Sequence, residues 1–192
     1  MAWFLENLIL LGLLALAVYH DITRRKIPNK ITMPAILFGI IYSTVNSGLN
    51  GFLFSIFGFL LGLAVFLIPY IFGGIGAGDV KLMAAIGALK GSRFALMSSI
   101  GTALSGGMIV IIYMIYKGGL SSTIISSFGL LIKPISKWIF LVTGNKSVLK
   151  VFKYFEGKQI EKVKDYIPYA IAIACGTISV LFGAFDGLLA IV

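Results

Sequence analysis

The sequence is poor in the side chains from which soluble sites are usually built. Its 192 residues include one cysteine, Cys175, and one histidine, His20. A single cysteine excludes an intramolecular disulfide and any zinc site built on paired cysteines. Its place in an apolar run marks Cys175 as a small buried residue. Charge is scarce as well: 12% of residues are Asp, Glu, Lys or Arg, against about 25% in soluble domains. Only seven acids are present, and there is no internal repeat or low-complexity tract. What is abundant is apolar surface. Hydrophobic residues make up 59% before the 23 glycines are counted, and mean hydropathy is +1.03. A chain of 20.7 kDa has too little interior to hide that much. A soluble globule is excluded, and so is disorder.

A membrane-crossing helix takes about 20 mostly apolar residues. Six segments come near this: residues 3–20, 31–46, 52–72, 73–89, 94–116 and 167–190. The expected fold is all-α: a polytopic membrane protein with about six transmembrane helices in a single domain over residues 1–192. The segment 73–89 is the weakest, broken by Gly73, Gly74, Gly76, Gly78 and Asp79. Such irregular backbone survives at membrane depth only inside protein or beside water. The first run ends near Ala15 and Ala17, a pattern like a secretory cleavage site. However, Glu6 precedes it and Arg24, Arg25 and Lys26 follow, the reverse of a signal peptide. The expectation is a retained helix with its N-terminus outside.

A net charge of +9 points to nucleic acid in a soluble protein. Here its distribution reports topology, and no nucleic-acid partner is expected. Arg24, Arg25, Lys26 and Lys30 follow the first span, and nine more basic residues lie within 117–165, together thirteen of the sixteen. Six crossings put both groups on one side, which the positive-inside rule makes cytoplasmic. Both termini are then outside, and the uncharged turn at 46–51 is an outer loop, with Lys90 and Arg93 as exceptions to the rule. Residues 118–165 mix apolar side chains with lysine, as expected for a cytoplasmic helical insert lying on anionic lipid. A re-entrant or spanning segment around 120–143 is the alternative.

Among the acids, Glu156, Glu161 and Asp165 belong to the basic insert, while Glu6 and Asp186 lie near outer helix ends and can reach headgroups. Asp21 and Asp79 remain, both placed by this topology at the cytoplasmic boundary. Asp21 can form an ion pair with Arg24 or Arg25, and Asp79 can cap the helix that follows it. A cap, however, does not require Gly76 and Gly78 just before it. Glycines there allow unusual dihedrals and close approach of another chain, and an intramembrane acid beside irregular backbone marks function. Two carboxylates at one depth also suit aspartyl peptide hydrolysis, one activating water and the other protonating the leaving amine.

The run Gly76-Ala77-Gly78-Asp79-Val80-Lys81-Leu82 resembles the GxGD element of intramembrane aspartyl proteases. With Asp21-Ile22-Thr23-Arg24-Arg25-Lys26-Ile27-Pro28-Asn29, it resembles the type IV prepilin peptidase family, which includes the preflagellin peptidases. Pro168-Tyr169-Ala170 is similar to the family's entry to its last helix, and the resemblance covers most of residues 15–115 and 166–180. It implies catalytic roles for Asp21 and Asp79, with Gly74, Gly76, Gly78 and Lys81 shaping the site or binding substrate. The implied activity is an aspartic endopeptidase in the cell membrane, its active site facing the cytoplasm. Its implied substrates are pilin-like or archaellin-like precursors that lose a short basic leader. Neither metal nor cofactor is implied, since an acid pair and water suffice, and the family mechanism needs nothing of His20. The paired-cysteine region of longer members is missing from this sequence, so methyltransferase activity is not expected. The competing reading is a proton-coupled transporter or channel, in which intramembrane acids and broken helices also occur.

Overall fold

The computed structural model describes residues 2–117 and 168–183. These form four helices: α1 (Ala2–Arg24), α2 (Asn29–Ile71), α3 (Ala77–Lys117) and α4 (Tyr169–Leu181). No strand occurs among the described residues. Three of the helices, α1 to α3, are long and apolar enough to cross a membrane. Contacts divide the chain into one unit of residues 1–109 with 167–192 and a second of residues 110–166. The described part of the second unit is the end of α3, where Ile111, Ile112, Ile115 and Tyr116 are exposed. The expected insert at 118–165 lies outside the described residues, as do Asp186 and the rest of 184–192.

Two of the long helices are not straight. In α2, Gly48 takes φ 58° and ψ −136°, a conformation that breaks a helix and that glycine tolerates. Ser43 and Ser55 would lie about 18 Å apart on a straight helix, yet their hydroxyls are 3.4 Å apart. The chain therefore folds back at Gly48. In α3, Gly91 takes φ 81° and ψ 177°, and a Cβ there would strike the Phe54 ring. Beyond this break the second arm of α3 runs antiparallel to α4: Gly101 lies against Gly176, Ser105 donates to the Ala172 carbonyl at 2.8 Å, and Gly106 faces Tyr169. The described residues thus contain six helical stretches, 2–24, 29–47, 49–71, 77–90, 92–117 and 169–181.

The weakest apolar segment of the sequence lies in the middle of the core. In the first arm of α3, residues 82–89 are all buried, with Leu82, Met83 and Ile86 at 0% exposure. The backbone of this arm touches both arms of α2. A Cβ on Gly39 would come 2.7 Å from the Ala88 carbonyl oxygen, and one on Gly58 would strike the Gly87 carbonyl. Ser55 donates to the Ala88 carbonyl at the same crossing. Small residues let helices approach to backbone contact, which favours association where lipid supplies no hydrophobic drive. Leu10, Leu13 and Leu14 of α1 and Ile173 of α4 complete the core.

Two expectations need correction. The segment 167–190 is not one long helix: α4 stops at Leu181 after 13 residues, closed by Gly183 at φ 79° with its N–H on the Val180 carbonyl. Glycine there completes a C-terminal cap, which stops the helix regardless of the apolar residues beyond. Cys175 is exposed on α4, because the buried face of that helix is taken by Ala172, Ile173, Gly176 and Thr177. Glu6, near the start of α1, is joined to α3 by an ion pair. Lys90 reaches it at 3.3 Å across α1 and α3, and this contact also accounts for a lysine outside the basic segments.

Candidate active site

The Gly-rich run joins two helix ends by recognisable capping chemistry. At the end of α2, Gly73 adopts φ 74°, its N–H bonds the Tyr70 carbonyl and the Gly74 N–H bonds the Pro69 carbonyl, both at 2.9 Å. This is a Schellman closure, which favours glycine at the left-handed position. Three residues on, Gly76 is the cap from which α3 departs. Asp79 is the third residue of α3, and its Oδ2 accepts the Gly76 N–H at 2.9 Å. An acid at this position reaching back to the cap is one half of a capping box. The interaction with the helix end is therefore real, although Asp79 is not itself the cap residue. It is also 7% exposed, an unusual burial for a carboxylate.

Asp21 comes from the last turn of α1 and is 2% exposed. Its Oδ2 accepts the Ala170 N–H at 3.1 Å, in the first turn of α4. Helix-terminal N–H groups lack partners within their own helix and favour an anion. Each aspartate thus meets the N-terminus of a helix, Asp79 its own and Asp21 that of α4. Their charges interact, and Asp79 also acts on the Tyr169 phenol. Tyr169 in turn packs edge-on to Phe66, with ring centroids 6.4 Å apart. Asp21, Asp79 and the start of α4 therefore share one neighbourhood. His20 turns its ring edge to Tyr19 at 5.6 Å.

The two sequence motifs meet physically. Arg25 ends α1 in the left-handed region at φ 53°, and Ile27 then packs against Gly78. A Cβ on Gly78 would come 3.0 Å from the Ile27 Cβ and 3.3 Å from its nitrogen. Glycine at 78 thus makes room for Ile27 of the same chain, and glycine at 76 keeps clear of the Asp79 Oδ2, 3.2 Å from where its Cβ would be. Gly74 has only an ordinary contact there, the Pro69 carbonyl at 3.4 Å. Lys81 donates from Nζ to the Asn29 Oδ1 at 2.9 Å.

A family model described as the type IV leader peptidase family matches residues 8–115, more than half the chain. The chain belongs to this family. The match contains Asp21, the 25–29 connector, the Gly-rich run and Asp79. Family membership makes the chain a leader peptidase, acting on protein, and together with the three long apolar helices it makes it a membrane protein. Searches of curated proteins and of solved structures return no match.

Gly73, Ile27, Asn29 and Ala170 also contribute to the site, and nothing in the sequence singles them out. Ile27 and Asn29 belong to the run that follows Asp21, but their contacts are with residues more than fifty positions away. Gly73 was legible as one more glycine in a run, without its left-handed role. Ala170 acts through a backbone N–H, and no side-chain pattern announces that.

Proposed function

We propose that the protein is a membrane-embedded aspartic endopeptidase that removes the short basic leader of type IV pilin-like or archaellin-like precursors at the cytoplasmic membrane boundary. One observation carries the reading. In a chain of the leader peptidase family, two buried carboxylates on different helices, Asp21 and Asp79, share an electrostatic neighbourhood while each accepts a backbone N–H. Like charges held close together share a proton, which leaves one carboxylate as base and the other as acid. The base takes a proton from water as the water oxygen adds to the scissile carbonyl carbon, and the acid protonates the carbonyl oxygen. The resulting gem-diol collapses as the carboxylate that gave its proton takes one back from a diol hydroxyl, the C–N bond breaks, and the amine nitrogen leaves with a proton from the carboxyl that gained one. An acid pair and water complete the cycle, so this chemistry requires no metal or cofactor.

The six helical stretches support six crossings, with the segment around 77–90 shielded from lipid by its neighbours. Arg24, Arg25, Lys26 and Lys30 are exposed beside Asp21, as a cytoplasmic rim against anionic lipid would be. Coexpression with a precursor bearing a basic leader before an apolar helix tests the reading. Wild type removes the leader, and Asp21→Asn and Asp79→Asn do not. Cleavage that survives either substitution overturns the acid pair, and the absence of any cleavage by wild type returns the transporter reading.

A further inference from the structure

Asp21 and Asp79 lie on α1 and α3, which the chain connects only through the whole of α2. Their local tie is the connector that leaves α1. Arg25 turns the chain with its N–H on the Asp21 carbonyl at 2.9 Å, so the connector starts from the turn that carries the first aspartate. Ile27, 7% exposed, then meets Gly78, the residue just before the second aspartate. Asn29, the first residue of α2, receives the hydrogen bond of Lys81, two positions past Asp79. Contacts from one short connector thus bracket Asp79 on both sides.

The two contacts resist opposite displacements. Backbone and Cβ atoms of Ile27 fill the space beside Gly78, so the first turn of α3 cannot move closer to the connector. The ammonium–amide hydrogen bond opposes movement away. We propose that Asn29 and Lys81 are a positioning pair, a latch that works against the Ile27–Gly78 stop to set the spacing of Asp21 and Asp79 for hydrolysis. This inference rests on the acid-pair reading above. The Lys81–Asn29 bond is at the exposed rim, where a single hydrogen bond contributes little to global stability. Its loss therefore appears in rate. Displacement of a reacting group by an ångström costs on the order of 100-fold.

The test uses the full chain in lipid vesicles and a precursor with a basic leader before an apolar helix, measuring kcat and KM. Asn29→Ala and Lys81→Met each lower kcat about 10- to 100-fold with KM within about twofold. The double variant is no worse than the weaker single, because both changes remove one interaction. Lys81→Arg, which keeps a donor, restores most of the rate. Full kcat in both single variants overturns the proposal, as do additive losses in the double variant. A loss confined to KM also overturns it, by making Lys81 a substrate or lipid contact. Should Asn29→Ala fail to fold, Lys81→Met against Lys81→Arg decides the same question from the other partner. Asp21→Asn and Asp79→Asn run alongside. If these still cleave, the acid-pair reading fails; if they are inactive while Asn29→Ala and Lys81→Met run at full rate, only the latch fails.

Discussion

Between α1 and the first arm of α3 the chain places ionisable residues at two levels. Glu6 meets Lys90 at 3.3 Å, an acid with a base. About 22 Å further along α1, and about 16 Å back along α3, Asp21 and Asp79 bring two acids into one neighbourhood. Coulomb energy favours the first arrangement and opposes the second. The acids are held by backbone donors instead, Ala170 N–H on Asp21 and Gly76 N–H on Asp79, and by the packing of Ile27 on Gly78. The fold thus satisfies one pair with opposite charges and sets two acids near each other at the other level. Sites of chemistry are where such conflicts are expected.

That contrast can be broken at several points. The largest effect belongs to the acid pair. Asp21→Asn and Asp79→Asn each lower leader cleavage by about a thousandfold or more, while thermal unfolding in detergent stays near the wild-type midpoint, since an amide oxygen can still accept the same backbone N–H. A large loss of stability with residual cleavage would make these aspartates structural. Gly78→Ala comes next. The added Cβ presses on Ile27, so stability falls by about 1 kcal/mol and kcat drops, but KM holds. A rise in KM would instead make Gly78 a point of substrate approach.

At the other level the expected effect is on stability alone. Lys90→Met leaves the Glu6 carboxylate without its partner and costs about 1–3 kcal/mol. Adding Glu6→Gln recovers part of that, because removing both members of an ion pair costs less than stranding one. Cleavage per folded molecule is unchanged in both variants, which a calibrated activity assay on the folded fraction checks. The smallest effect is that of Cys175→Ser. An exposed position on α4 predicts a change within about 0.5 kcal/mol, and a larger loss would show that the thiol is covered.

Much of the fold was legible because apolar length and charge placement report directly on a membrane solvent. The segments 31–46 and 94–116 fall within helices that the structure contains, 52–72 overruns α2 by one residue, and the breaks at Gly48 and Gly91 lie in the gaps between the segments. The residues of the GxGD run and the first-helix aspartate were legible for a different reason: with 12% charged residues, Asp79 beside glycines and Asp21 at the end of an apolar run both stand out. Helix ends were less legible. The stop at Gly183 depends on a left-handed backbone angle that competes with an apolar run, and hydropathy does not register it.

The sequence by itself determined that this chain lives in lipid, that its helices are numerous and apolar, and which two acids are anomalous there. Those conclusions follow from composition, segment length and local spacing, all properties of residues near one another in the chain. Only the tertiary structure decided what meets what. It brought Ile27 to Gly78, Asn29 to Lys81, Ala170 to Asp21 and Glu6 to Lys90. Each contact joins residues far apart in the chain, and two of the four depend on a backbone atom or a missing side chain. Close helix packing decides such contacts, because which backbones approach within a few ångströms is a property of the assembled bundle.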